Sequence, residues 1–266
     1  MPAGVFQAQK KDGTVYYRAS ITYNNKHISL GSFPKQETAA KAYAQAKELL
    51  FDPSVTIEGF SHSDYVLKHE KIITLLNFRD HKIYIKNPIY LQKSYFNYYL
   101  SPTEIYKFDN DDLFYFSEHK ILKRGGHLYV NDYGMQVTIL SRFGIRSFAI
   151  AGRDYKFANQ DPFDLRYENL ININPYHGVR RQNKNGMIKY DTFIHINGDY
   201  HIGCYDTLNE AAIAYNKAVD SARKFGIEKN FPTNFIVELS ASMYAEQYVK
   251  IPISEKYLEY LRINFS

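Results

Sequence analysis

Apolar and polar positions alternate with a period of two near the start of the chain. Over residues 17–22, tyrosine, alanine and isoleucine alternate with arginine, serine and threonine, which is typical of a β-strand with one buried face. The pair Asn24–Asn25 tolerates the left-handed backbone of a tight turn, so a hairpin into residues 27–30 is predicted. Small residues then recur at helical spacing over residues 39–46, which predicts a helix that lies close against the sheet.

The same pattern returns near the other end of the chain. Residues 190–194, 199–205 and 209–215 repeat the features of the first copy at an offset of 172 or 173 residues, and a Gly-Val pair precedes each copy. Such self-similarity indicates two copies of one small unit. We therefore predict an α+β protein in which two modules, each a three-stranded antiparallel sheet with a helix, flank a different middle segment.

A helix on one face leaves the other face of each sheet open. A small twisted sheet can enter the major groove of DNA and present alternating side chains to base edges and phosphates. An ordinary solvated sheet face is the alternative. The candidate DNA-contacting residues are Arg18, Thr22 and His27 in the first copy and Arg180, Arg181, Lys184, Lys189, His195 and His201 in the second.

The motifs of the second copy, in chain order, are Gly178-Val179-Arg180, Lys189-Tyr190, Ile202-Gly203-Cys204-Tyr205, Ala211-Ala212-Ile213-Ala214-Tyr215 and Asn230-Phe231-Pro232. This set resembles the DNA-binding domain of the plant ethylene-response-factor (APETALA-type) family, which also occurs beside HNH homing endonucleases in bacteria and phages. The first copy has the Gly-Phe turn and the helix, but Phe6 stands where the family has a first-strand arginine. The resemblance implies that both open sheet faces bind double-stranded DNA.

Both copies depart from that family at its strand tryptophans, which contact the sugar and phosphate of DNA. The chain contains no tryptophan. Tyr17 and Tyr190 stand at one of these family positions, and Ser29 and His201 stand at the other. Asp199 replaces a basic residue that faces DNA in the family, so the second copy differs from the family at its DNA face.

The middle segment resembles an HNH nuclease core over residues 155–170. The part of the family motif that reads Asp-Pro-x-Asp-x-Arg-x-x-Asn-Leu is present from Asp161 to Leu170. Phe157 stands where the family has its general-base histidine, Lys156 replaces an acidic residue, and Ser141 replaces the other metal-site histidine. An HNH site uses one divalent cation and a histidine that activates water, and these replacements supply neither.

We therefore expect a protein that is not an enzyme, with no catalytic residue, no metal and no cofactor. Replacement of the lost groups by His119, His127, Asp154 or Asp164 is the less favoured alternative. The retained half of the motif is expected to cap and brace the helix that follows an HNH loop, with Leu170 in the core.

The motifs divide the chain into an N-terminal DNA-binding module (1–51), a connecting region (52–108), a degenerate HNH-like ββα module (109–174), a C-terminal DNA-binding module (175–233) and a helical tail (234–266). Apolar runs in the connecting region are compatible with a short helix over 72–78 and a strand over 83–90, although the pattern does not separate helix from strand there. The aromatic residues of this region are expected in the core rather than stacked on bases. In the middle module, Lys123 and Arg124 are further candidate DNA contacts, in a basic hairpin closed by two glycines; a solvated turn is the alternative.

The sequence of the tail predicts two short helices, and the second has Leu258 and Leu261 on one face. Packing within the chain and dimerisation both remain open from the sequence, so a monomer or a homodimer is expected.

Composition narrows the classes of function. The 266 residues carry a net charge of +5 and a pI of about 8.9, a mildly basic balance that permits a nucleic-acid partner without requiring one. One cysteine excludes an intramolecular disulfide and a Cys-rich zinc site. No apolar run reaches the length of a membrane span, and the first residues do not form a signal peptide, so the bacterial cytoplasm or nucleoid is the expected location.

The sequence thus predicts a non-catalytic double-stranded DNA-binding protein, a transcriptional or mobile-element regulator derived from an HNH homing endonuclease. Two alternatives stay open. The first is an active HNH-type nuclease with an altered site. The second is a protein-binding inhibitor of a nuclease, encoded by a phage or mobile element.

Overall fold

The computed structural model describes residues 1–59, 65–147 and 149–265. It is a mixed α+β structure with small antiparallel sheets, as predicted, and the described residues form six α-helices. The strands are β1 (Val5–Gln9), β2 (Val15–Tyr23), β3 (Lys26–Phe33), β4 (Ile89–Leu91), β5 (Tyr95–Tyr99), β6 (Ile105–Asp109), β7 (Leu122–Arg124), β8 (His127–Asp132), β9 (Met135–Thr138), β10 (Tyr155–Phe157), β11 (Leu170–Asn172), β12 (Val179–Lys184), β13 (Met187–His195) and β14 (Asp199–Tyr205). The helices are α1 (Gln36–Phe51), α2 (His69–His81), α3 (Leu113–Glu118), α4 (Leu208–Lys224), α5 (Ala241–Lys250) and α6 (Glu255–Phe265).

The chain divides into two compact units. The first comprises residues 1–139 and 161–169, and the second comprises residues 140–160 and 170–266. Within the described ranges, no helix has both the length and the apolar character that crossing a membrane requires.

In the first unit, α1 packs against one face of a sheet with the order β1-β2-β3. Burial along β2 alternates as the sequence predicts: Ala19 and Ile21 are buried, whereas Arg18 and Thr22 are exposed. The turn into β3 is formed by Asn24–Asn25 with φ values of 45° and 60°. Asparagine adopts this left-handed geometry at low cost, which makes the hairpin a local property of the sequence.

In the second unit, the sheet β12-β13-β14 with α4 repeats this geometry. Both middle strands shift register at the equivalent place, directly after Ala19 in β2 and directly after Thr192 in β13. The β2–β3 connection holds four residues between the paired Thr22 and His27, and the β13–β14 connection holds three at the equivalent place. This one-residue difference is the reason why the repeat offset changes from 173 to 172 residues.

A glycine at the entry to each of these sheets lies against a tyrosine of the helix. Gly4 and Gly178 have φ values of +68° and +73°. A Cβ on Gly4 would lie 2.2 Å from the ring of Tyr43, and a Cβ on Gly178 would lie 2.2 Å from the ring of Tyr215. Only glycine allows this conformation and this approach together, so the Gly-Val pairs mark the contact between helix and sheet.

The connecting region supplies much of the core of the first unit. Its helix, α2, is longer than the predicted 72–78 and packs against α1 and β4. The predicted strand over 83–90 is confined to β4, because only residues from Ile89 onward pair with a neighbour. Phe96 and Tyr98 are fully buried, so these aromatic side chains pack in the core as expected.

The HNH-like stretch does not form the predicted ββα arrangement. β10 pairs with β11 in antiparallel register, and the described chain contains no α-helix between α3 and α4. Asp164 and Arg166 brace the intervening loop instead, through two hydrogen bonds of 2.6 and 2.9 Å. Leu170, which was expected in the core, is only half-buried, whereas Leu165 of the same stretch is buried.

The tail packs within the chain. Tyr257 and Leu261 of α6 are buried in the core that also contains β14 and α4. The Tyr257 hydroxyl donates to the carbonyl of Ala218, at 2.8 Å. Lys217 donates to the backbone carbonyl at Ile251, at 2.7 Å, just after α5 ends. The apolar face that the sequence left open to dimerisation is therefore occupied inside the second unit.

Candidate nucleic-acid interface

The face of the first sheet that is turned away from α1 is polar and exposed. We call it the first open face; it contains Arg18, Thr22 and His27, the candidate residues of the first copy. Thr22 and His27 face each other across the β2–β3 pair, with Oγ1 and Nδ1 3.4 Å apart. The strands β1, β2 and β3 contain no aspartate or glutamate. No acidic side chain on these strands therefore opposes the approach of a phosphate backbone.

Two aromatic residues that were not among the candidate contacts lie beside Arg18. Its guanidinium donates to the hydroxyl of Tyr16 at 2.7 Å and lies 5.5 Å from the centre of that ring. Phe6 pairs with Arg18 across β1 and β2, and 57% of Phe6 is exposed. Tyr16 has the same parity along the strand as Arg18, so the alternation pattern contained the signal that places it on this face.

The equivalent face of the second sheet, the second open face, has its basic residues paired with carboxylates. Asp199 and Asp191 each pair with two of these basic residues, and Asp206 pairs with one. The pairs are Arg180–Asp199 at 3.0 Å, Lys184–Asp191 at 2.9 Å, His195–Asp199 at 2.8 Å, His201–Asp191 at 3.5 Å and Lys189–Asp206. Much of the positive charge of the candidate residues of the second copy is therefore neutralised by nearby carboxylates.

The two carboxylates within this sheet are held in their charged form. Hydrogen bonds from His195 and then from Arg180 lower the pKa of Asp199. Burial opposes ionisation of Asp191, but hydrogen bonds, first among them that from Lys184, still lower its pKa below the ordinary value. Both acids therefore carry a full negative charge at neutral pH.

Three predicted DNA contacts lie away from the open faces. Arg181 pairs with Tyr190, so the two-residue period of β12 turns it to the side opposite Arg180. Lys123 and Arg124 belong to the β7–β8 hairpin of the first unit, a separate sheet. Lys123 forms an ion pair with Glu104, and Arg124 donates to Gln136 at 3.0 Å.

Tyr17 and Tyr190, which stand where the resembling family has DNA-contacting tryptophans, lie on the helix side of their sheets. Both are half-buried and pack against the hydrophobic cores. Serine and histidine take the other tryptophan position, with Ser29 and His201 exposed. Phe6 and Tyr16 are therefore the aromatic residues beside Arg18 on the first open face.

The acidic residues that lie near the HNH-like stretch in sequence are held by arginines. Asp154 is buried and accepts hydrogen bonds from Arg146 at 2.8 Å and Arg153 at 2.7 Å, and from Asn174. Burial works against ionisation, but these bonds hold the pKa of Asp154 well below its ordinary value. Asp164 is likewise bound by Arg166. In the part of the chain that the structure describes, no three His, Cys, Asp or Glu side chains cluster in a way that would hold a metal ion.

Comparison of the chain with protein-family models, with curated proteins and with solved structures found no match.

Proposed function

We propose that the protein binds double-stranded DNA without cutting it and acts as a transcriptional or mobile-element regulator. The observation that carries this proposal is that Arg18 is exposed on the first open face and that the three strands of this sheet contain no aspartate or glutamate. Over residues 1–36, which contain this sheet, there are five Lys or Arg residues and a single Asp. Proteins that read DNA with β-sheets place exposed strands in a groove of the duplex, and the exposed face of this antiparallel sheet suits that mode of binding.

In this proposal the first open face provides most of the DNA affinity. Arg18 lies on the central strand, where a guanidinium can donate two hydrogen bonds to the major-groove edge of guanine. Thr22 and His27 lie further along the same face and offer donors to neighbouring bases or phosphates. The second open face binds more weakly, because Arg180 and His195 must give up Asp199 before either contacts DNA.

The absence of cutting is proposed from the chemistry of the HNH-like positions. Phe157 is half-buried against Tyr155, with ring centres 5.6 Å apart, and has no group that takes a proton. Lys156 is exposed and cationic beside it, which opposes a divalent cation.

The proposal is tested by gel-shift titration of a duplex DNA at two salt concentrations, with Arg18→Gln, Arg180→Gln and Lys47→Gln. Lys47 is an exposed residue of α1, on the other side of the sheet from the open face, so this control removes the same charge elsewhere. We expect about a tenfold loss of affinity for Arg18→Gln, from the loss of a bidentate contact. Arg180→Gln should lose less than about threefold, and Lys47→Gln should bind like the wild type. Equal effects of Arg18→Gln and Lys47→Gln would contradict the proposal.

Selection of bound sequences from a random duplex pool then defines the role. An enriched motif supports a regulator, whereas uniform retention supports an architectural protein. If no duplex is retained at moderate salt, a protein partner replaces DNA. Incubation with supercoiled plasmid and Mg²⁺ or Mn²⁺ tests the claim that the protein does not cut, because nicking that a chelator abolishes would refute it.

A further inference from the structure

A second cationic surface lies in the first unit, at the edge of the first sheet. A cavity of about 550 Å³ opens between β3 and the beginning of α2. Three lysines line it: Lys68 and Lys71 from the start of α2, and Lys86 from the segment before β4. Ser29 and Ser32 of β3 add two exposed hydroxyl groups. None of the three lysines was a candidate from the sequence, because the residues of the cavity are separated by up to 57 positions along it.

The three lysines differ from the basic residues of the second open face in their contacts with carboxylates. Across the described parts of the chain, none of the three forms an ion pair within 4.0 Å. Glu70 also lines the cavity, but its carboxylate pairs with Lys120 at 2.6 Å. The described residues that line the cavity therefore carry excess positive charge.

This excess charge is costly to the protein in the absence of an anion. Lys71 is half-buried. Burial and then repulsion from the charge of Lys86 lower the pKa of Lys71, and Glu70 only partly offsets them. An anion between the two lysines would remove the repulsion and replace part of the lost hydration.

We propose that this cavity is a binding site for a phosphate group. Lysine ammonium groups and hydroxyl groups are the donors that phosphate oxygens accept from. The volume exceeds that of a bare phosphate ion and lies within the range of small-ligand pockets. Phe33 and Val66 supply an apolar wall for an attached organic group. The ligand is thus a phosphorylated molecule of about nucleotide size, or a backbone phosphate of DNA bound on the adjoining first open face.

Isothermal titration of the full chain with ATP and with pyrophosphate tests the site. The double variant Lys71→Gln/Lys86→Gln removes two positive charges from the cavity. Its control, Lys41→Gln/Lys47→Gln, removes two from exposed positions of α1 in the same unit. We expect the cavity variant to weaken binding of ATP or pyrophosphate about tenfold or more and the control to leave it within about twofold. Far-UV circular dichroism and the midpoint of thermal unfolding establish that each variant is folded.

The same two variants in the gel-shift titration separate the two sources of phosphate. Small phosphates that bind through Lys71 and Lys86, with DNA affinity unchanged in the cavity variant, identify a free phosphorylated ligand. If ATP and pyrophosphate do not bind but the cavity variant alone weakens DNA binding and flattens its salt dependence, the phosphate belongs to DNA. Small phosphates bound by a protein that retains no duplex support the site and refute the proposed function. Equal behaviour of the cavity variant and its control in both assays overturns the site.

Discussion

The contact between glycine and tyrosine at the entry to the second sheet predicts a specific loss of stability. Replacing Gly178 by alanine introduces a Cβ that would lie 2.2 Å from the ring of Tyr215 and 2.4 Å from the carbonyl oxygen of Phe193. The backbone there has a φ of +73°, which alanine disfavours. The substitution therefore combines backbone strain with a steric clash against a packed core.

A second glycine of the same sheet separates these two contributions. Gly186 has a φ of +82°, but a Cβ added to it would meet nothing within 4 Å. Gly186→Ala should cost only the left-handed strain, about 1–2 kcal/mol. Gly178→Ala adds the cost of forcing extra volume into a packed site, about 1–3 kcal/mol. We expect Gly178→Ala to lower the free energy of unfolding by about 2–5 kcal/mol.

Urea unfolding of the full chain, followed by far-UV circular dichroism and tyrosine fluorescence, measures both variants. Hydrogen exchange of the peptide covering α4 assigns the change to the second unit, because Tyr215 belongs to that helix. If Gly178→Ala is no less stable than Gly186→Ala, the close approach of helix and sheet is wrong. A matching loss in the first unit for Gly4→Ala would show that the repeat extends to this contact.

Three further outcomes are expected. Asp154→Asn should lower the free energy of unfolding in urea by about 3 kcal/mol. Because folding depresses the pKa of Asp154, this difference in stability from the wild type should be complete at neutral pH. It should shrink below about pH 4, as the wild-type carboxyl is protonated. Asp199→Asn should raise DNA affinity about two- to tenfold in gel shifts and steepen its salt dependence, since Arg180 and His195 lose their carboxylate partner. Leu261→Ala should lower stability by about 2–5 kcal/mol, because this side chain is fully buried; an unchanged urea midpoint would place α6 outside the core.

The alternation of apolar and polar residues determined much of the local structure. It predicted the face of β2 that carries Arg18 and Thr22, because successive side chains of a strand point to opposite sides. The asparagine pair predicted the first hairpin turn, because its left-handed backbone is a local property. The same two-residue period places Arg180 and Arg181 on opposite faces of β12, although both were predicted as DNA contacts of one sheet face.

For the middle segment, the resemblance led to a wrong prediction of the element that follows the motif. The motif from Asp161 to Leu170 predicted a loop followed by a helix, but the described chain continues into β11 and β12 instead. The carboxylate and guanidinium groups of the motif serve the loop itself, through the pair Asp164–Arg166. A short run of residues fixes such local bonds, whereas the element that follows depends on what the rest of the chain packs against it.

Only the tertiary structure decided how much of the positive charge on each candidate surface is neutralised by carboxylates. Arg180 and Asp199 are 19 positions apart in the chain, and the strand register brings them to 3.0 Å. Lys71 and Lys86 meet at one cavity because α2 and the segment before β4 fold together. Net charge and local composition sum over side chains without regard to distance, whereas electrostatic energy depends on the distance between them. The sequence by itself therefore determined which residues are basic, and only the fold determined which of those charges remain available to a ligand.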